Sequence, residues 1–353
     1  MLEITELLAG MVQTGGSDLF IAAGSPPRMN AEGKFQDLTP EPLAPEDAQE
    51  LIRQLLTDDQ WDFFSKTREL NIAYALERTG RFRVNVYFQR GTPACVIRQI
   101  RLKIPSSAEL HLPPLLEKLA LSPRGLILVT GATGAGKSTT MAAMINYRAG
   151  HLEGHIVTIE DPVEYLFQHN QSLVSQREVG IDTLSFAEAL KNTLRQAPNV
   201  IYIGELRDAE TVEFALHSSE TGHLVLSTLH STNAPQTIER VLNFFPRDHH
   251  DQVLAQLSYN LRAIISQRLI PDKNGKRLPI LEILIHTPFV QELIYKGEIG
   301  QLKKAIESGR QEGMQTFDLH LKELVEKGLI SEENALTCAD SPGDLKLKLR
   351  GFA

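Results

Sequence analysis

A chain of 353 residues is longer than one hydrophobic core usually holds. With 42% hydrophobic and 23% charged residues it has the make-up of a folded globular protein with two sizeable cores, which excludes disorder. The formal net charge of -8 gives no global attraction to nucleic acid or acidic lipid, and the only cysteines, Cys95 and Cys338, lie far apart, which argues for a reducing compartment and against a disulfide framework or a four-cysteine zinc site.

The first residues, MLEITELLAGMVQ, carry Glu3 and Glu6 and lack the basic start and long apolar stretch of a signal peptide, so they predict an amphipathic helix. No apolar run approaches a bilayer-spanning length. The expectation is a cytoplasmic protein that inserts into no membrane itself. SDLFIAAG predicts a strand, PPRMNAEGKFQDL a turn and hairpin, and Ala44 to Lys66 mostly helix around Leu51, Leu55, Leu56 and Trp61. Alternation at Leu70 to Leu76, Arg81 to Arg90 and Ala94 to Arg101 predicts an antiparallel sheet with one polar face. The Pro113-Pro114 pair marks a boundary, giving a small α+β domain over 1–112, a linker over 113–122 and a second domain over 123–353.

The second domain opens with GLILVTGATGAGKSTTMAAMINY, which reads as strand, loop and helix in immediate succession. The pattern G-x-x-x-x-G-K-S is met without deviation. Gly131, Gly134 and Gly136 let the chain fold back with its amides inward, Lys137 reaches the β and γ phosphates, Ser138 offers a hydroxyl to Mg²⁺, and the helix N-terminus favours negative charge. The expected ATP-holding set is Gly131, Thr133, Gly134, Ala135, Gly136, Lys137, Ser138 and Thr139.

Strand and helix periods then alternate, as a parallel sheet with crossover helices requires. His155 to Ile159 is a strand ending in acids; Ser185 opens a helix with a capping box to Glu188; Val200 to Ile203 is a buried strand ending at Glu205; Asp208 to Glu220 is a helix stopped by Gly222; His223 to His230 is a strand. Beyond Ala234 the reading is mostly helical, with one more strand near Leu278 to Ile285.

Ligands of open α/β sheets bind at the carboxyl ends of the strands, so Glu160, Asp161, Glu164, Glu205 and His230 are expected to converge on the phosphates. Hydrolysis of a β–γ bond needs a metal to neutralise charge, a carboxylate to orient water and cations for the transition state. Glu205, directly after a buried strand, is assigned to Mg²⁺ through water, and Glu164, beyond Pro162, to the water. His223 and His230, seven positions apart, face opposite ways, so at most one reaches the γ-phosphate.

With these residues in hand, the chain resembles along nearly its whole length the secretion-type ATPases that drive type IV pili, specifically the PilT/PilU retraction ATPases. GATGAGKST resembles the family's Walker A box, TIEDPVEY its Asp box, IYIGELRD its Walker B box and GHLVLSTLH its His box, in family order, and LVSQREVG and GMQTF also match. The resemblance implies a PAS-like N-terminal domain, a RecA-like P-loop ATPase domain, and a homo-hexamer with ATP and Mg²⁺ at subunit junctions. It makes Glu164 the catalytic glutamate and Glu205 the Walker B acid, and brings Arg83 and Arg98 into the site from the N-terminal domain. FVQELIYKG at Phe289 to Gly297, the tail ADSPGDLKLKLRG, and Phe20 where SDLHL has histidine depart from the primary motor, and the tail is similar to the accessory PilU type. Implied partners are a paralogous retraction ATPase and an inner-membrane pilus platform protein, with the chain peripheral at that membrane. Two other classes are a nucleic-acid motor, which calls for a basic aromatic-lined channel, and a nucleotide-gated module without turnover, against which the strand-end acids argue.

Overall fold

The computed structural model describes residues 2–31, 33–77, 79–100 and 103–351, and Arg101, the expected end of one strand, lies outside them. Two compact units divide the chain: Met1–Lys103 with Val163–Leu166, and Ile104–Pro162 with Phe167–Ala353. The chain thus first passes from one to the other between Lys103 and Ile104, and Val163–Leu166 returns briefly to the first unit. Residues 113–122 contain a helix whose Leu116, Leu119 and Ala120 are buried in the core of the second unit.

In the first unit α1 (Ile4–Gln13), β1 (Asp18–Ile21), β2 (Arg28–Ala31), β3 (Lys34–Asp37), α2 (Pro45–Arg53), α3 (Asp58–Thr67), β4 (Glu69–Leu76), β5 (Gly80–Gln89) and β6 (Thr92–Ile100) follow one another. The strands form an antiparallel sheet in the order β3-β2-β1-β6-β5-β4. The helix expected across Ala44 to Lys66 is two, because Thr57 accepts from the Gln60 amide and starts a new helix with a complete capping box. Period two decides which face is covered: Phe82, Val84 and Val86 of β5 are fully buried against Leu8, Leu51, Ile52 and Phe64 of the helices. Arg81, Arg83 and Asn85, between them, take the other face. This is the small α+β unit of PAS-like type.

The second unit runs α4 (Leu115–Ala120), β7 (Gly125–Thr130), α5 (Lys137–His151), β8 (Gly154–Glu160), β9 (Ser172–Glu178), α6 (Phe186–Thr193), β10 (Val200–Ile203), α7 (Ala209–Glu220), β11 (Leu224–Leu229), α8 (Ala234–Leu242), α9 (His250–Asn260), β12 (Leu261–Pro271), β13 (Arg277–Ile285), α10 (Pro288–Tyr295), α11 (Leu302–Ser308), α12 (Phe317–Glu326), α13 (Glu332–Cys338) and α14 (Pro342–Leu349). The sheet order is β13-β12-β7-β11-β10-β8-β9, parallel except for the β12–β13 hairpin. Helices cover both faces, which explains why β7, β10 and β11 are buried at every position. Leu126 and Leu128 of β7 pack with α7 to α11, and Ile127 and Val129 with α4 and α5. A smaller cluster joins α12 to α14 to the β12–β13 hairpin through Ile270, Ile280, Phe317 and Leu321.

Two strands depart from the sequence reading. β9 adds the sheet's outer edge, and β12, in the stretch read as helical, pairs with β7 from Leu261↔Leu126 to Ser266↔Thr130. Ser266, Gln267 and Arg268 break the apolar run of β12, so no alternation announces it. The polarity is used internally, as the site shows.

Candidate active site

β7 lies between β11 and β12, so the chain leaves it where successive strands go to either side, the position at which open α/β sheets bind ligands. Gly131, Gly134 and Gly136 have φ of 155°, 78° and 86°, which L side chains rarely adopt. Space forbids side chains at two of them: a Cβ on Gly131 would lie 2.4 Å from Gln267 O, and one on Gly136 2.8 Å from Gln267 Nε2. Gln267 is the strut of the loop. Its Nε2 donates to Ala135 O at 2.7 Å and its Oε1 accepts from Thr140 Oγ1 at 2.7 Å, tying β12 to both the loop and α5. Sequence reasoning missed Gln267, since only the pairing of β12 with β7 brings it there.

Lys137 is buried at the start of α5, and its Nζ donates to Gly131 O at 2.8 Å and Ala132 O at 3.1 Å. Burial lowers its proton affinity, and the nearby Glu205 charge opposes that shift. Ser138 is exposed at the helix start. Beside the loop lies a cavity of about 590 Å³ lined by Gly131 to Ala135, Thr232, Gln267 and the hairpin residues Leu269, Pro271 and Arg277, a size that suits a whole nucleotide.

From Lys137 a chain of polar contacts crosses the strand ends. Its Nζ is 3.4 Å from His230 Nδ1; His230 Nε2 is 3.3 Å from Glu205 Oε1; Arg207 Nε donates to Glu205 Oε2 at 3.1 Å and Arg207 Nη1 to Asp161 Oδ2 at 3.0 Å. Burial and the charge of Lys137 push the His230 pKa down, so the ring is neutral. The neutral tautomer with hydrogen on Nε2 satisfies both sides, donating to Glu205 and accepting from Lys137. Asp161, Glu205 and His230 are thus brought together, joined by Arg207, a residue sequence reasoning passed over inside IYIGELRD. His223 faces away, its Nδ1 3.0 Å from Ser218 O.

Glu160 departs from the expectation. Alternation along β8 turns it inward, where it is 6% exposed and accepts from Thr158 Oγ1 at 2.7 Å and Gln176 Nε2 at 3.2 Å. Glu164 is exposed and belongs with the first unit. There Arg83 and Arg98 stand directly opposite each other on β5 and β6, and Arg98 faces Asp18 of β1. Arg98 Nε donates to the buried Asp18 at 2.6 Å; this hydrogen bond, then the charges of Asp18 and Glu164, strengthen its hold on its proton. Asp18 also offsets the repulsion of two guanidinium groups paired across strands.

A metal can be fitted by donor chemistry. Ser138 and Glu205 offer the hard oxygens Mg²⁺ takes, and since Glu205 already faces Arg207 and His230, binding through water suits it better than direct ligation.

A parallel sheet whose inner strand runs into a glycine loop and a Lys-Ser helix, with an acid and a histidine at neighbouring strand ends, defines a P-loop nucleotide-binding domain of RecA-like fold. Residues 106–336 match the type II/IV secretion system protein family. The chain is 49% identical to the type IV pilus ATPase PilU of Pseudomonas aeruginosa, over 99% of this chain and 92% of that one. It is 42% identical to the retraction ATPase PilT of the same organism, over 97% and 99%. A solved structure of the pilus retraction motor PilT with bound ADP superposes with a TM-score of 0.91 at 40% identity, covering 98% of this chain and 99% of that one. The chain belongs to the type II/IV secretion ATPase family, in its PilT/PilU branch.

Proposed function

We propose that the chain hydrolyses ATP to ADP and phosphate and uses the energy to drive type IV pilus retraction, and hence twitching motility, as a PilU-like accessory motor. The contact chain Lys137–His230–Glu205–Arg207 at the strand ends carries the hydrolytic reading, because it sets a carboxylate and a neutral histidine beside the lysine of a phosphate loop. Identity of 49% to a PilU against 42% to a PilT supports the accessory type.

In this reading the amides of Gly131 to Gly136 hold the phosphates with Thr133, Ala135 and Thr139, and Lys137 exchanges the carbonyls of Gly131 and Ala132 for the β and γ phosphates. Mg²⁺, held by Ser138 and through water by Glu205, supplies charge neutralisation. His230 meets the γ-phosphate side of Lys137, Glu164 orients the attacking water, and Arg83 and Arg98 stabilise the transition state from a neighbouring subunit of a six-membered ring. The partners are a paralogous PilT-like ATPase and an inner-membrane pilus platform protein. The protein acts in the cytoplasm, peripheral to that membrane; among the described residues no helix is long and apolar enough to cross one.

Lys137→Ala tests the site, since it removes the one cation the loop itself aims at the phosphates. ATP turnover by the purified variant is expected to vanish. Near-normal turnover would remove the assignment.

A further inference from the structure

Arg207 joins two strand ends and has no role in the chemistry as described. It lies on the turn between β10 and α7, with Nε on Glu205 Oε2 at 3.1 Å and Nη1 on Asp161 Oδ2 at 3.0 Å. Its guanidinium carbon is 5.6 Å from the centre of the Phe186 ring, so one face of the group is backed by α6. A planar fork held at both ends and on one face has little freedom.

That rigidity acts on Glu205. With Oε2 held by Arg207, the second oxygen, Oε1, is directed to His230, and through the ring to Lys137. We propose that Arg207 and Asp161 are positioning residues for hydrolysis: Asp161 fixes the Arg207 fork, and the fork fixes the orientation of the Glu205 carboxylate. The inference rests on the proposed reading of this site as an ATP hydrolase. A purely structural role fits poorly. The side chains of Arg207, Asp161 and Glu205 are 45%, 34% and 25% exposed, and ion pairs so open to water add little to folding. Their geometry is the part that matters: misplacing a reacting group by about 1 Å costs up to about 10²-fold in rate. Lysine cannot substitute, because a single ammonium on a flexible stem does not reproduce a two-ended planar clamp.

The test uses the full-length chain with Arg207→Ala, Arg207→Lys, Asp161→Asn and the double variant Arg207→Ala/Asp161→Asn. Each is measured for kcat, for KM, for affinity to a non-hydrolysable ATP analogue and for thermal midpoint. Each single variant is expected to lose roughly 10- to 100-fold in kcat, with KM, analogue affinity and thermal midpoint close to wild type. Because Asp161 acts through Arg207, the double variant is expected to fall no lower than Arg207→Ala alone. Arg207→Lys is expected to restore only a small part of the rate. Multiplying losses in the double variant, retained kcat in the single ones, or losses matched by weaker analogue binding or a lower midpoint would each overturn the proposal. Absence of turnover in the wild-type chain would overturn the hydrolase reading along with it, whereas multiplying losses in an active enzyme strike this proposal alone.

Discussion

His320 gives the second unit a built-in sensitivity to acid. It sits on α12 with 5% of its surface exposed, and its Nδ1 accepts the Leu281 amide of β13 at 3.0 Å. Burial, helped by the charge of Lys327, lowers its pKa from 6.5 to about 4. The sign follows from proton counting. Below pH 6.5 the unfolded chain binds a proton at this position that the folded chain refuses, so stability falls as pH drops from 6.5 to 4 and is flat above that window. A shift of that size corresponds to about 3 kcal/mol across the window. Protonation also takes away the acceptor for Leu281, so the hydrogen bond is lost in the same step. The assay is urea unfolding at a series of pH values for the wild type and for His320→Gln, whose amide oxygen keeps an acceptor without titrating. Carboxylates destabilise both proteins alike on acidification, so the difference between the two curves isolates the histidine. The wild type is expected to lose about 3 kcal/mol more than the variant between pH 6.5 and 4. Parallel curves would refute a neutral, buried His320.

Two further predictions concern the chemistry. Glu164→Gln is expected to keep ATP affinity while losing on the order of 10²- to 10⁴-fold in turnover, as for a positioned base, whereas Glu205→Gln weakens Mg²⁺ dependence as well as rate. Mg²⁺ titration and nucleotide binding on both purified variants decide this, and a metal defect in Glu164→Gln alone would reverse the assignment. Arg98→Ala subunits mixed with Lys137→Ala subunits are expected to recover some activity, because a junction can combine an intact loop from one with an intact arginine from the other. Mixtures that demonstrably exchange subunits yet never exceed the sum of the parents would exclude action across a junction.

The parts of the site that could be read from the sequence are those in which neighbours in the chain are also neighbours in space. The loop from Gly131 to Ser138 carries its own amides, lysine and hydroxyl, and Glu205 follows the buried run Val200 to Ile203 with only Gly204 between, so both strand and site are visible in a few residues. What hid the rest was pairing across the sheet. β12 is buried along most of its length, yet Ser266, Gln267 and Arg268 interrupt its apolar run, because Gln267 turns under the phosphate loop while Arg268 reaches Asp340 at 2.8 Å and stacks on Phe317. A strand whose polar residues are consumed by partners distant in the chain has no local signature; Gln267 and Ala135 are separated by 132 positions, Arg268 and Asp340 by 72.

Glu160 and Asp161 show the same limit at the scale of one residue. Both stand in the acidic cluster that ends β8, and both are expected at the phosphates on position alone. A strand sends successive side chains to opposite faces, so only one of an adjacent pair can follow the site, and which one depends on the register of β8 with β9 and β10. That register pairs Glu160 with Glu178 and turns its carboxylate to Thr158 and Gln176, leaving Asp161, one position past the strand, for Arg207. Shifting the pairing by one residue would exchange the two acids. The choice between a buried structural carboxylate and one clamped beside Glu205 is therefore made by strand register, which no spacing of acids within the motif encodes.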